Sequence, residues 1–281
     1  MKIIEEGIVL ADHITTWKRA GRTVGFVPTM GFLHEGHLAL IRMAQQHSDI
    51  VVVSIFVNPK QFGPGEDLEK YPRDIERDIE LAGNRNVDIL FMPTQEEIYP
   101  PGYQTTISLP DLAKPLCGKS RPVHFDGVAT VVAKLFNLVQ PDVAVFGKKD
   151  YQQLTLIRQM TTDLNFRIQI MGHPIVREVD GLAMSSRNKY LDQQERKDAL
   201  CLFQGLQHAH QQIQEKEKLT AATLIDQVAQ ILNSPKSCRI DYIEVVDAIS
   251  LANKETAEKG DIMALAAFFN EKVRLIDNIT L

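Results

Sequence analysis

The chain has 281 residues, 44% of them hydrophobic and 24% charged, with a formal net charge of −5. That length suits one large domain or a main domain with a smaller companion, and the composition excludes a disordered or low-complexity chain. The acidic balance excludes a protein built mainly to neutralise nucleic-acid phosphates, and no run of eighteen apolar residues offers a membrane span.

The N-terminal stretch MKIIEEGIVL is too acidic and too short in apolar length for a secretory signal, so a cytoplasmic protein is expected. A helix is expected over Asp12–Ala20, with Asp12 able to cap it. Strands and helices then alternate. Strand-like runs fall at Val24–Val27, Ile50–Val57, Val87–Met92, Val143–Phe146 and Arg167–Met171, and helical spacing at Gly36–His47, Asp67–Ala82, Val128–Val139 and Tyr151–Leu164. Nearly continuous apolar strands such as IVVVSIFV predict burial on both faces. Residues 1–175 therefore read as a Rossmann-like, doubly wound α/β domain with a parallel sheet.

Residues 93–125 are proline-rich and lack clear periodicity, apart from a short strand expected at Thr105–Leu109. Such an insertion suits a lid, a binding loop or a subunit contact. Beyond Pro174 the pattern changes to a smaller α+β domain, 176–281. It carries helices near Gln193–Glu215 and Ala221–Leu232, then strands at Cys238–Val246, Ile262–Phe269 and Val273–Ile276, the last two joined as a hairpin at Asn270-Glu271. Cys117, Cys201 and Cys238 form no C-x-x-C pair and fit free thiols in a reducing compartment.

In a doubly wound sheet the chemistry lies just beyond the carboxyl ends of the strands. The first such segment, PTMGFLHEGH, joins a strand to a helix through Gly31. Amide groups at that helix start suit phosphate oxygens. His34 and His37 are three apart and share a face if the helix has begun by His34. The same spacing is open to a metal or to two surface donors, although no third His or Cys lies near in sequence to complete a zinc set. After later strands come Asn58-Pro59-Lys60-Gln61-Phe62 and Gly147-Lys148-Lys149-Asp150. Asp150 could cap the next helix, or orient a ribose or a metal-bound water, while Lys149 neutralises phosphate charge. Gln61 and Gln153 supply neutral donors and acceptors. Met184-Ser185-Ser186-Arg187 offers hydroxyls, amides and a guanidinium matched to phosphate, or an ordinary surface turn. With His34, His37, Lys148 and Lys149, Arg187 could form a local basic pocket for a small anion. Asp74, Glu76, Asp78 and Glu80 read as a solvated helix face, one of them available to assist Mg²⁺.

Taken together, PTMGFLHEGH, NPKQFGPGEDLEKYPR, LCGKSRPVHFDGVATVVAKLFNLVQPD, FGKKDYQQ and PIVREVDGLAMSSRN resemble the AMP-forming pantoate–β-alanine ligase family over nearly the whole chain. The histidine pair is similar to the signature of the nucleotidyltransferase superfamily that includes class I aminoacyl-tRNA synthetases, and MSSR to its mobile phosphate-binding motif. The resemblance implies condensation of pantoate with β-alanine through pantoyl adenylate, with ATP and Mg²⁺, in a homodimer that binds neither nucleic acid nor membrane. It implies an ATP site made of Met30, Gly31, Phe32, Leu33, His34, Glu35, Gly36 and His37 with Gly147, Lys148, Lys149, Asp150, Val176, Met184, Ser185, Ser186 and Arg187. His37 would be the proton donor, His34 its phosphate-side partner and Lys149 a third catalytic group, while Gln61 and Gln153 would hold pantoate, with Gln61 also near β-alanine. Val123 and Lys148 depart from the Gly and Glu usual at those positions. Another small-molecule nucleotidyltransferase is the nearest rival, and a non-catalytic nucleotide sensor is a more distant one.

Overall fold

In the computed structural model, which describes residues 1–281, the apolar runs form β1 (Lys2–Ile4), β2 (Val24–Thr29), β3 (Ile50–Ile55), β4 (Ile89–Phe91), β5 (Val143–Gly147) and β6 (Gln169–His173). They make one parallel sheet in the order β1-β4-β3-β2-β5-β6. From β2 the chain moves outward to β3 and β4, and from β5 it moves outward the other way to β6. The carboxyl ends of β2 and β5 therefore flank the point where strand order reverses, the usual ligand crevice of such sheets.

The connecting helices are α1 (Gly7–Arg19), α2 (Glu35–His47), α3 (Ile75–Asn84), the short α4 (Gln95–Ile98), α5 (Pro110–Ala113) and α6 (Cys117–Ser120), then α7 (His124–Val139) and α8 (Tyr151–Asp163). Alternate strand residues face opposite ways. Val27, Val51, Val53, Leu90, Val143 and Val145 pack with Leu38, Ile41 and Ala44 of α2 and Ala82 of α3. On the other face Phe26 and Phe146 each meet Phe136 of α7 edge to face. A fully buried aromatic or branched aliphatic side chain of this kind contributes about 1.5–3 kcal/mol.

The chain divides into two compact units: residues 1–113, 121–148 and 153–174, and residues 114–120, 149–152 and 175–281. In the second unit, α9 (Gln193–Asp198), α10 (Leu200–Lys216), β7 (Lys218–Thr220), α11 (Ala221–Leu232), β8 (Cys238–Val246), β9 (Thr256–Glu258), β10 (Ile262–Phe269) and β11 (Val273–Thr280) follow in order. β11, β10 and β8 form an antiparallel sheet, and Leu202, Leu206 and Ala209 of α10 with Leu224 and Val228 of α11 pack against its Ile243, Met263 and Leu265. β7 and β9 form a separate two-stranded ribbon.

Several local expectations give way to tertiary contacts. α1 starts at Gly7, not Asp12, because Glu97 reaches across to accept the Gly7 N–H at 2.9 Å. The helix expected from Asp67 starts at Ile75, since Pro72 holds residue 71 out of helical geometry and Asp74 caps the Arg77 N–H. Thr105–Leu109 forms no strand; its Ile107 N–H donates to Thr130 Oγ1 of α7 at 2.9 Å. The single helix expected over 193–215 is broken at Ala199, where the first segment is tied sideways by Asn270 to Glu195 and by Ser237 to Asp198. β11 runs on past Ile276 because polar Asp277 and Asn278 are both buried with partners there.

Candidate active site

β2 ends at Thr29, whose hydroxyl donates to the Ser54 carbonyl and accepts the Gly31 N–H. Gly31 has φ +81°, and a Cβ on it would lie 2.9 Å from both Asp78 Oδ2 and Ile55 Cγ2, so this turn needs glycine on both counts. Phe32 also takes a positive φ of 50°. What holds it there is Asp78 of α3, which accepts the Phe32 N–H at 2.7 Å and the Leu33 N–H at 2.6 Å. Burial pushes the Asp78 carboxyl above its usual range, a rise that the two amides only partly offset and that Asp74 reinforces. The reading of Asp78 as a solvated residue is thus corrected. Asp74, Glu76 and Glu80 are exposed as expected, but Asp78 is four residues before the buried Ala82 and shares its inward face.

The two histidines are joined by backbone, not by a shared helical turn. α2 begins only at Glu35, and His34 precedes it in extended conformation with φ −141°. His34 Nδ1 accepts the Gly36 N–H at 3.1 Å, and His37 Nδ1 accepts the His34 N–H at 3.3 Å. A backbone N–H can only donate, so both Nδ1 atoms are acceptors and each neutral ring carries its proton on Nε2. The ring centroids are 4.1 Å apart and tilted by 33°. The expected cradle of free amides is therefore largely taken up: Phe32 and Leu33 bond Asp78, and His34 and Gly36 bond the imidazoles. The ring protons, by contrast, lie on Nε2.

The second segment carries a denser network than its sequence suggests. Asn58 and Gln61, 1% and 8% exposed, sit at the turn of helix Pro59–Gln61 after β3. Asn58 Nδ2 donates to the Gly127 carbonyl at 3.0 Å and to Gln61 Oε1 at 3.1 Å, while its Oδ1 accepts from Tyr99 Oη and the Lys60 N–H. Gln61 Nε2 lies 3.0 Å from Met30 Sδ, which brings Gln61 to the histidine turn. Arg121 Nη2 donates to the Gln61 carbonyl at 3.2 Å, and His124 Nδ1 lies 2.9 Å from the same oxygen. Arg121 also makes a two-point pair with Glu66. Burial pushes Glu66 up, but the Arg121 hydrogen bond and charge outweigh it and leave the carboxyl below its usual value. Gly127 permits all of this, since a Cβ there would lie 2.3 Å from the Lys60 carbonyl oxygen.

The other expected residues fall as follows. Met30 is half-buried, and Leu33 is fully buried in the sheet core. Glu35 is exposed and paired with Arg42 and Arg85. Gly147 ends β5 opposite His173, and Lys148 beyond it is exposed. Gln153 is half-buried in the first turn of α8. In the second unit, the Lys149 carbonyl accepts from Asn278 Nδ2 at 2.8 Å, and Asp150 is exposed. Val176 and Met184 face each other across a tight hairpin, Met184 N–H donating to the Val176 carbonyl at 3.0 Å. Ser185 then caps the short helix Ser186–Tyr190 by accepting the Arg187 N–H. Val123 adopts φ −98°, a conformation open to any residue, so the absence of glycine there imposes no strain.

Tyr99, Arg121 and His124 were given no site role from sequence; Asn58 was named only within its segment, and Asp78 only as one of four acidic residues on a solvated face. Asn58 and Asp78 left a signal, one directly after a strand and one in helical step with Ala82. Tyr99, in a stretch without periodicity, left none.

Comparison with known proteins identifies what this arrangement resembles. The family described as Pantoate-beta-alanine ligase matches residues 2–280. A pantothenate synthetase from Syntrophobacter fumaroxidans is 50% identical over 281 residues, covering 100% of this chain and 99% of that one. One from Sulfurihydrogenibium is 52% identical over 281 residues, with 99% of each chain covered. Among solved structures, pantothenate synthetase from Thermus thermophilus superposes with a TM-score of 0.93 at 43% identity, covering 100% of this chain and 99% of that one. The pantoate-beta-alanine ligase of Francisella tularensis, in complex with beta-gamma ATP and beta-alanine, gives 0.81 at 33% identity, covering 100% and 97%.

Proposed function

Because the chain belongs to the pantoate-beta-alanine ligase family, it is a ligase that forms pantothenate with ATP, and we propose that it does so through pantoyl adenylate formed at the histidine turn. A carboxylate is a poor acyl donor, so activation must come first. The pantoate carboxylate attacks the α-phosphorus of ATP and pyrophosphate leaves. The amine of β-alanine then attacks the acyl carbon and AMP leaves, with no bond to the enzyme at any stage.

Negative charge grows on phosphate oxygens in the first step, and preorganised donors act most strongly on such charge. The observation that carries this reading is the reciprocal bonding of both imidazoles to backbone, which puts each ring's proton on Nε2 and sets the two rings 4.1 Å apart at the strand–helix turn. His37 is the proton donor and His34 its phosphate-side partner. Lys149 and Arg187 neutralise phosphate charge, and Met30 to His37, Gly147 to Asp150, Val176 and Met184 to Ser186 complete the nucleotide site. Gln61 and Gln153 hold pantoate. Residues 1–175 act as the ATP- and pantoate-binding domain and 176–281 as the smaller domain that carries the Met184–Arg187 loop.

The ATP phosphates would bring Mg²⁺ with them. No three His, Cys, Asp or Glu side chains gather to hold a metal ion, and Mg²⁺ commonly keeps its waters and substrate phosphates with only one or two carboxylates. Asp150 is the carboxylate that could take one of those waters. When bound, the ion would neutralise charge on the pyrophosphate leaving group. No helix is long and apolar enough to cross a membrane, and a cytoplasmic homodimer fits a biosynthetic ligase of this family.

Pyrophosphate exchange into ATP tests the first half-reaction. With Mg²⁺ present, exchange that requires pantoate and not β-alanine is the expected result. ATP binding without exchange would defeat the adenylate route.

A further inference from the structure

The stretch Tyr99-Pro100-Pro101-Gly102-Tyr103 belongs to the insertion that sequence left without a role, and it closes over the turn that carries Gln61. The Tyr99 ring lies 6.2 Å from the Phe56 ring and 5.1 Å from that of Tyr103. Lys60 Nζ sits 5.0 Å from the Tyr99 centroid and 4.8 Å from that of Tyr103, so one ammonium holds both rings. Within this cap the Tyr99 hydroxyl reaches Asn58 Oδ1 at 2.8 Å. Burial raises that phenol above its ordinary range, which keeps it a donor at any working pH.

The direction of the whole relay is fixed by main chain. The Gly127 carbonyl can only accept, so the Asn58 atom facing it is nitrogen. The Lys60 N–H can only donate, so the Asn58 atom facing it is oxygen. Asn58 has its second amide proton directed at Gln61, so the Gln61 atom there is Oε1, and Nε2 is turned toward Met30. Sulfur is a weak acceptor. Gln61 thus presents an N–H and not a carbonyl on the Met30 side, where a substrate oxygen would be a stronger acceptor than the sulfur.

We propose that Tyr99 is a positioning residue: its hydroxyl locks Asn58, and Asn58 holds Gln61 with Nε2–H aimed at an oxygen of the acid substrate. This rests on the reading that Gln61 binds pantoate. The Tyr99 hydroxyl is spent on Asn58 Oδ1, so the residue acts through Asn58 and carries no proton in the reaction. Its loss leaves Asn58 Oδ1 with only the longer Lys60 N–H bond, so Asn58 holds the Gln61 amide less firmly and one substrate's hold weakens.

The test is a cycle of Tyr99→Phe, Gln61→Ala and the double variant, with kcat and KM measured for each of the three substrates and a thermal melt on each protein. Tyr99→Phe keeps the ring, its stacking and the Lys60 contact. The expected result is that it raises the pantoate KM by about five- to tenfold, the scale of one hydrogen bond. The ATP KM and melting temperature stay near wild type, and the effect vanishes when Gln61 is already alanine. A Tyr99→Phe effect that persists undiminished on the Gln61→Ala background, or that raises all three KM values together, would overturn the relay while leaving Gln61 in its role. If Gln61→Ala leaves the pantoate KM unchanged, the proposal falls at its premise.

Discussion

The proposed proton donor is His37, and its neighbour's backbone sets its tautomer. The His34 N–H donates to its Nδ1, so Nε2 must carry the ring proton. His37→Ala should lower kcat by about 10²- to 10³-fold, the usual cost of one transition-state donor; a steady-state kcat within threefold of wild type would remove the residue from that role. Asp78 supports the same turn from beneath. Asp78→Ala would leave the Phe32 and Leu33 N–H groups without their acceptor, with a loss of roughly 2–3 kcal/mol in a denaturant titration, and kcat should fall with it as His34 loses its footing. Glu66 gives a pH signature. Its folded-state carboxyl lies below the ordinary value, so its pair with Arg121 stabilises fully above about pH 4.3 and is lost as pH falls through the lower folded value. Glu66→Gln should therefore flatten the acid limb of melting temperature against pH below about pH 4, and a limb identical to wild type would refute the assignment.

At the scale of elements, α7 and the 59–61 turn are in backbone contact because residue 127 has no side chain. Gly127→Ala would drive its Cβ into the Lys60 carbonyl, and the helix cannot yield without moving Phe136 out of the sheet core. The expected outcome is a loss of about 1–3 kcal/mol, seen by chemical denaturation, with a raised pantoate KM because Asn58 loses its Gly127 anchor. The strands and long helices were legible as runs and spacings, since their periodicity reflects burial against the sheet. Their ends were not. The start of α1 depends on Glu97, ninety residues away, and the break at Ala199 on Asn270 and Ser237. Each is a contact that no local window contains.

For the molecule as a whole, the second unit has a buried ion pair that its sequence does not announce. Arg177, one residue after Val176, makes a two-point pair with Asp277 of β11 and stacks on Phe203 at 4.3 Å. Burial raises Asp277, and Arg177 opposes that rise. Asp277→Asn would leave the guanidinium without its counter-charge, and the expected destabilisation is roughly 3 kcal/mol in the unfolding free energy. Because the same hairpin sets the Met184–Arg187 loop, the ATP KM should rise in the folded variant, measured by steady-state kinetics.

The sequence by itself determined the α/β class, the order of strands and helices along the chain and the family, because alternation, apolar runs and motif spacing are written locally. His34, His37, Gln61 and the Met184–Arg187 loop were proposed on the same grounds: each follows a strand or a break where chemistry is expected. Only the tertiary structure decided which atoms those residues present. That Asp78 is buried under the histidine turn and that Tyr99 bonds the Asn58 that holds Gln61 both depend on donors and acceptors brought together from distant segments. A donor's direction is fixed by its partner, and the partner's position is a property of the fold.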